Sequence, residues 1–592
     1  MELIVLTTSE LAAGSRELPR FVAFREAEGW EVTLATETDW DHPAQTSADS
    51  RQDRIRAWLK ERYAEDPGAF LLLIGDPDPA TGDIPMLETY PIASLLHYYP
   101  PELQTNMSPI PTDFYYAELT GEWDCDGDGR PWHYPRDIGE GCMDMMPELY
   151  VGRLPVYDGD VGTMDALLER ALERDLETDK SYRHTVLLPG ALFGIDGTST
   201  VSGGIYQGHS DGGGILATIH RDLPAVFESV RLFEGEGLLE SAYERDLDLS
   251  RDQLLETWAQ GAGVVVWAGH GWKDSTHRVV WVADLDEDGI GDDDEVISPS
   301  FIESGDEAEL VSAGGAFTWH VSCDNAWPES EDNLATALLS GGAAGTVAAT
   351  RVSYGSTPDF GETWEPRPEL AGGTTASYYY ALALTDGATS GEALARTKSE
   401  LPGDGWTEVY AWVDTTGFAW ATRAMFNLYG DPTRSLELCQ QDSDCLDDSL
   451  CTGTEACQDG FCIHQDAPDC AELDSECSVG VCDPQTGGCT AEPRFDGAPC
   501  DDGAWCTESD TCGAGVCGGV LRDCGEREGY LSTCDDEAGV CLWEELDEEA
   551  TPRAETRGCA SAGAAGGWLG MFLLPALVRR RKERPFPRAK HL

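Results

Sequence analysis

Two short apolar runs in this chain each stop on a reactive side chain. Val264–Ala268 is followed by Gly269-His270-Gly271, and the run 316–321 is followed by Ser322-Cys323. A thiol and an imidazole are the pair that nucleophilic acyl transfer needs. The sulfur attacks as thiolate, and the ring takes the thiol proton or protonates the leaving amine. An apolar strand ending in an exposed loop is how α/β folds carry such groups to the carboxyl edge of a sheet. Glycine at 271 permits close backbone approach, and its N–H with that of Cys323 forms a candidate oxyanion hole. His277 and His320 compete for the role of base. His320 lies inside the second run and is expected to face the core or the sheet edge. His277 lies on the loop, and neither precedes a glycine at a strand end.

The elements that must position this pair read as alternating strands and helices. Strands at 3–6, 31–35 and 70–74 alternate with helices at 18–28 and 51–63, which predicts a mainly parallel sheet with helices on both faces. A helix follows at 161–175. A second αβ unit contains strands at 185–189 and 226–233, a helix beginning at 212–220, and a helix over 254–261 that leads into the histidine run. After Cys323 come a glycine-rich strand at 341–350 and helices at 374–384 and 392–398.

Bulk properties narrow the setting. A length of 592 residues implies several domains. A formal net charge of −70, from 39 basic and 109 acidic residues, excludes binding of nucleic acid or an anionic membrane face through the general surface. Three of the 20 cysteines precede residue 400, sixteen fall between Cys439 and Cys541, and Cys559 stands alone. The sixteen lack CxxC pairs and have one histidine among them, so they read as disulfides formed in an oxidising compartment. Export is therefore expected. The first residues, MELIVLTTSELAAG, look like a β-strand and not a signal peptide, so either the true start lies further upstream, with a signal and with or without a propeptide, or export is unconventional; the upstream start is the expectation.

Three motifs carry a family resemblance: PTDFYYAELTGEWDCDGDG at 111–129, PELYVGRLPV at 147–156 and MFNLYGDP at 425–432. They resemble the gingipain-type cysteine peptidases (family C25, clan CD) over residues 1–437. The resemblance implies two side-by-side caspase-like α/β subdomains, 1–175 and 176–437, the second carrying the active site. It implies a cysteine endopeptidase that cuts protein or peptide substrates through a thioester acyl-enzyme, with His270 and Cys323 as its dyad. In the family an acidic residue follows the strand that is 185–189 here. Leu192 occupies that place, and the nearest carboxylates are Asp196 and then Asp211. Asp196 is the candidate third member; without it the chain works as a dyad. Gingipain-type enzymes cleave after arginine or lysine through an acidic pocket, a specificity that this sequence does not spell out. Trp327, Trp364 and Trp406 are pocket candidates, although packing is the plainer role for each.

A second chemical motif lies between the two halves of the pair. DLDEDGIGDDDE fits the spacing D-x-D-x-D-G-x5-E, with Asp284, Asp286, Asp288, Asp292 and Glu295 as oxygen ligands and Ile290 lending its carbonyl. Hard oxygens at alternating positions around a glycine turn suit Ca2+. No clear helices flank the motif, so it reads as a single calcium loop able to order the active-site rim. Asp124, Asp126 and Asp128 form a shorter version, flanked by Cys125 and Cys142 as a candidate disulfide. The bland alternative for both is a solvated acidic loop.

Beyond 437 the composition changes. Cys445-x5-Cys451-x5-Cys457-x4-Cys462 recurs from Cys500 at an offset of 55 residues, so 438–541 reads as disulfide-rich repeats. An acidic linker covers 542–558. The tail 559–592 has Cys559, a short apolar run interrupted by Pro575, and the basic cluster 579–582. This layout resembles the sorting tails of myxobacterial surface proteins. It implies cleavage near Cys559 by a sorting protease and anchoring at the cell surface or outer membrane; a plain single-span membrane anchor is the simpler alternative. The rival of a different class is a surface adhesin that keeps a peptidase-like domain without activity.

Overall fold

Strands built from unbroken apolar residues must be covered on both faces, and this requirement organises the chain. The computed structural model describes residues 1–545 except 42–49, 64–67, 93–107, 135, 138–140, 144, 176–179, 199–207, 311–313, 356–359, 367–371, 402–415, 437–441, 443–449 and scattered positions between 451 and 537. Trp406 and the tail with Cys559 lie outside the described residues. One compact unit comprises 1–468 with 484–487, and the other comprises 469–483 with the residues from 488 onward.

The main sheet of the first unit has eleven strands among the described residues. In chain order they are β1 (Glu2–Leu6), β2 (Glu31–Ala35), β3 (Ala69–Gly75), β4 (Leu149–Pro155), β5 (Thr185–Gly190), β6 (Glu228–Phe233), β7 (Leu247–Asp248), β8 (Val264–Ala268), β9 (Phe317–Val321), β10 (Gly345–Ala349) and β11 (Phe426–Gly430). They form one sheet in the order β7-β6-β5-β8-β9-β10-β11-β4-β3-β1-β2. Pairing is parallel throughout except between β10 and β11.

Alternate residues of each strand feed opposite faces. Ile4, Leu71, Val186, Val266 and Trp319 join a single core that runs along one whole face, covered by helices such as Arg51–Tyr63, Gly213–Asp222 and Gly373–Thr385. On the other face Leu3, Val5 and Leu72 pack with helices Leu18–Ala27 and Val161–Asp175, while Leu187, Val265 and Trp267 pack with Arg251–Trp258. The two expected α/β halves thus contribute to one continuous sheet.

Their junction is β11, which comes last in the chain but lies between β10 and β4. The approach there is tight. A Cβ on Gly152 of β4 would stand 2.4 Å from the Gly430 carbonyl, and Gly430 itself has φ +141, which favours glycine. Arg153 pairs across to Tyr429, and its fully buried guanidinium meets both carboxylate oxygens of Asp113 at 2.8 and 2.6 Å. The Asp113 N–H donates in turn to Asn427 Oδ1 at 2.9 Å. Asp113, Arg153 and Asn427 come from the three sequence motifs described above.

In the second unit, hairpins are linked to one another. Cys512 and Cys517 face each other across one hairpin, yet Cys512 bonds back to Cys477 and Cys517 to Cys500. Cys506 bonds forward to Cys534, and Cys524 to Cys541. The strand Val540–Glu545 runs into the stretch expected to be an acidic linker. Among the described residues, no helix is long and apolar enough to cross a membrane.

Replacing Asp113 by Ala strands the Arg153 charge in the core. Loss of one partner of a buried pair costs about 3–5 kcal/mol. Asp113→Ala is expected to lower the urea midpoint of the first unit accordingly, as read by tryptophan fluorescence.

Candidate active site

The strand order reverses beside β5: β6 lies on one side of it, and β8, β9 and β10 follow on the other. In open α/β sheets such a switch point opens a crevice at the carboxyl ends of the strands. Three segments leave the sheet there: 191–194 after β5, Gly269–Trp272 after β8 and Ser322–Asn325 after β9. Ladder bonds continue past the strand ends, from Ala191 N to Ala268 O at 2.9 Å and from Gly269 N to Val321 O at 3.1 Å.

Register then aligns the two candidate residues. Ala268 pairs with Val321, so His270 and Cys323 each lie two residues beyond the same rung of adjacent parallel strands. Strand spacing in a sheet is about 4.8 Å. Gly271 packs directly on the Cys323 backbone, since a Cβ there would sit 2.5 Å from Cys323 N and 2.1 Å from Cys323 O. No other residue type fits at 271.

Cys323 is partly buried and is the free cysteine among those described. Burial pushes its thiol up to about 11, and the neighbouring Asp324 carboxyl adds to the rise. The Ser353 N–H, 3.4 Å from Sγ, and the Gly271 N–H oppose it. The Cys323 N–H has no protein hydrogen-bond partner among the described residues. Asp324 adopts φ +60 and is 6% exposed, and its Oδ1 has no partner. Burial pushes its carboxyl up to about 7, with Arg351 opposing.

The His270 ring places Nε2 2.6 Å from the Phe193 carbonyl oxygen and packs edge-on to the Phe193 ring. A carbonyl only accepts, so Nε2 carries a proton, and the neutral ring keeps its lone pair on Nδ1. Burial holds the imidazole below its ordinary value, and His277 acts in the same direction.

Asp196, the expected third member, is not the partner of this ring among the described residues. Its carboxylate accepts from Gly208 N at 3.0 Å, and its carbonyl accepts from Gly291 N at 3.0 Å. Leu192, at the place where an acid was expected, is fully buried with Ile195 and Trp281. A carboxylate could not stay charged there, and the main chain of the next residue orients the histidine. Asp211 caps the helix Gly213–Asp222 by accepting from Gly213 N at 2.8 Å. His320 is fully buried and stacked on Trp267 at 3.8 Å, and His277 is bonded to Ser275 and to the Ser298 carbonyl. Trp364 is buried, and Trp327 lies under the Arg351 guanidinium.

The two acidic loops differ in how they are satisfied. Oxygens of Asp284, Asp286 and Glu295 converge within 4.8 Å of one another. Asp284 Oδ1 is buried without a partner, and Glu295 is 2% exposed, accepting from the Leu285 and Asp292 N–H groups. Asp288 accepts from Ile290 N, while the Ile290 side chain is exposed. Desolvation and the carboxylates of Asp288 and Asp286 raise Asp292. No basic side chain pairs with these ligand candidates among the described residues. Asp124, Asp126 and Asp128 also converge, but Asp128 is paired with Arg136 at 3.0 Å and His133 at 3.1 Å. The Cys125–Cys142 disulfide is formed.

Sequence reading missed Phe193, whose carbonyl leaves no side-chain signal, and Ser353 and Asn325. Asn325 lies two residues beyond Cys323, where an exposed loop was expected, so its full burial had no sequence signal.

Comparison with known proteins adds the family. The model of peptidase family C25 matches residues 1–437. The chain is similar to the Arg-specific cysteine proteinase gingipain R in its crystal structure, at 14% identity and TM-score 0.46, over 73% of this chain and 78% of that one. It is similar to the complex of RgpB pro- and mature domains from Porphyromonas gingivalis at 13% identity and TM-score 0.43, over 73% of this chain and 79% of that one. A stretch of 111 residues is 34% identical to protein psiQ of Dictyostelium discoideum, covering 17% of this chain and about a tenth (10%) of that protein's length. The family match extends from β1 past β11, so by that match the chain belongs to peptidase family C25.

Proposed function

We propose that this chain is a cysteine endopeptidase acting through Cys323 and His270. The observation that carries the reading is the shared register of β8 and β9, with Gly271 packed on the Cys323 backbone. The thiol rests protonated, so attack is base-assisted: His270 Nδ1 takes the proton as sulfur adds to the peptide carbonyl carbon. The Cys323 and Gly271 N–H groups stabilise the oxyanion. Collapse expels the amine, which takes the proton from the imidazolium, and leaves a thioester. His270 then activates water, which hydrolyses the thioester and restores the thiol. The Phe193 carbonyl holds the ring in the tautomer this sequence requires.

Calcium held by Asp284, Asp286 and Glu295, with Asp288, Asp292 and the Ile290 carbonyl completing the set, supplies fixed positive charge to an otherwise uncompensated loop. The buried, unpartnered Asp284 oxygen supports this. The loop packs on the segment that carries Phe193: a Cβ on Gly197 would meet Ile290 at 2.3 Å. The Asp124 loop already has cationic partners and is the weaker site.

The disulfide-linked hairpins support an exported enzyme, and the tail supports display at the cell surface or outer membrane after cleavage near Cys559 by a sorting protease. The mature protein is expected to end near Cys559, read by mass spectrometry of its last peptide.

A peptidyl-arginine or peptidyl-lysine acyloxymethyl ketone is expected to label the wild type and not Cys323→Ala; equal labelling would favour a non-catalytic binding protein. The pH dependence follows from the two groups. A raised thiol stays neutral across the working range, so activity requires neutral His270. Its lowered value puts the acid limb of kcat/KM below pH 6.5, with activity lost as pH falls through it. Terbium luminescence sensitised through Trp281 is expected to saturate in the wild type and to vanish in Asp284→Ala. Calcium at a hundred times its Kd should add about 2.7 kcal/mol of stability, removed by chelator.

A further inference from the structure

Asn325 is fully buried two residues beyond Cys323, and its side-chain hydrogen-bonding capacity is spent, three bonds on the facing hairpin and one on its own segment. Its Nδ2 donates to the carbonyls of Trp272 at 2.6 Å and Ser275 at 3.1 Å. Its Oδ1 accepts from Thr276 Oγ1 at 3.1 Å and from Ser322 Oγ. Trp272, Ser275 and Thr276 belong to the hairpin that begins at His270, and Ser322 precedes Cys323. An amide has two donor hydrogens and an oxygen with two lone pairs, so this clamp is complete, and no other side chain of that size offers both functions. Removing it takes the side-chain donor from the Trp272 and Ser275 carbonyls and the acceptor from Thr276, in the hairpin that carries Gly271.

The geometry points to Asn325 as a positioning residue that sets the approach of the His270–Gly271 hairpin to Cys323. This rests on the dyad reading given above. Its effect reaches the sulfur through Gly271, whose N–H lowers the Cys323 thiol and whose backbone lies against the Cys323 backbone. With the hairpin released, Gly271 loses its place against the Cys323 backbone and its lowering of the thiol goes with it.

The test compares Asn325→Ala and Asn325→Asp with Asn427→Ala. Asn427 is an equally buried amide, bonded to Ala424, Met425, Thr112 and Asp113, on β11 two strands from β9. Melting temperature, iodoacetamide alkylation of Cys323 against pH, and hydrolysis of fluorescein-labelled casein are measured for each. Both Asn325 variants are expected to lower casein kcat by a hundredfold or more with KM within threefold, and to move the alkylation midpoint up by at least half a pH unit. Asn325→Asp should recover activity relative to Asn325→Ala near pH 5, where a protonated carboxyl can donate one of the two lost bonds. Asn427→Ala should lower the melting temperature and leave the midpoint in place. If the Asn325 variants fail to fold, Ser322→Ala and Thr276→Val each remove one bond and should move the midpoint less, in the same direction. Folded variants with an unmoved midpoint overturn the proposal, as does an equal shift in Asn427→Ala. If the wild type leaves casein intact, the peptidase reading fails, and the alkylation midpoint alone decides the role of Asn325.

Discussion

The pairing of Ala268 with Val321 is the constraint on which the candidate site depends. Parallel strands with matched register and matched length release their chains at one level, so two residues past the same rung become neighbours. Every later feature of the site presupposes this. Gly271 can lie on the Cys323 backbone only because the ladder continues through Gly269. The Phe193 carbonyl can reach the His270 ring only because β5 ends beside β8. A one-residue slip between β8 and β9 would turn every side chain of one strand to the opposite face. The alternation of Val265 and Trp267 against Val264 and Val266 on two separate cores makes that slip costly.

The family signal and the chemical signal sit in different places. The three motifs that carry the resemblance meet at the seam between β4 and β11, where Arg153, Asp113 and Asn427 interlock. A charge buried at such a seam tolerates few substitutes, because its partner's geometry and its desolvation must both be met.

Much of this was legible in the amino-acid order, for definite reasons. Strands buried on both faces read as unbroken apolar runs, so β1, β3, β5, β8 and β9 were visible, and the abrupt ends of the last two exposed His270 and Cys323. The strands β4 and β11 were not. In the first, Gly152, Arg153 and Pro155 interrupt the apolar pattern; in the second, Asn427 and Gly430 do. Those interruptions are the seam contacts themselves, so the feature that joins the halves also hid the strands that form it. Phe193 acts through its main chain, which no side-chain pattern can report. Asp196 was chosen by proximity in sequence, whereas the backbone beyond Gly194 turns it towards Gly208 and the acidic loop.

The place of β11 in the sheet has a consequence for how the molecule comes into being. A chain emerging from its amino end completes β1 to β4 early, yet β4 keeps an unpaired edge through the whole interval from Pro155 to Phe426. The second half likewise keeps β10 open. Open parallel edges invite association with other chains. During synthesis this protein therefore passes through a long interval in which its amino-terminal half has an open edge, and a single late strand ends that exposure for both halves at once.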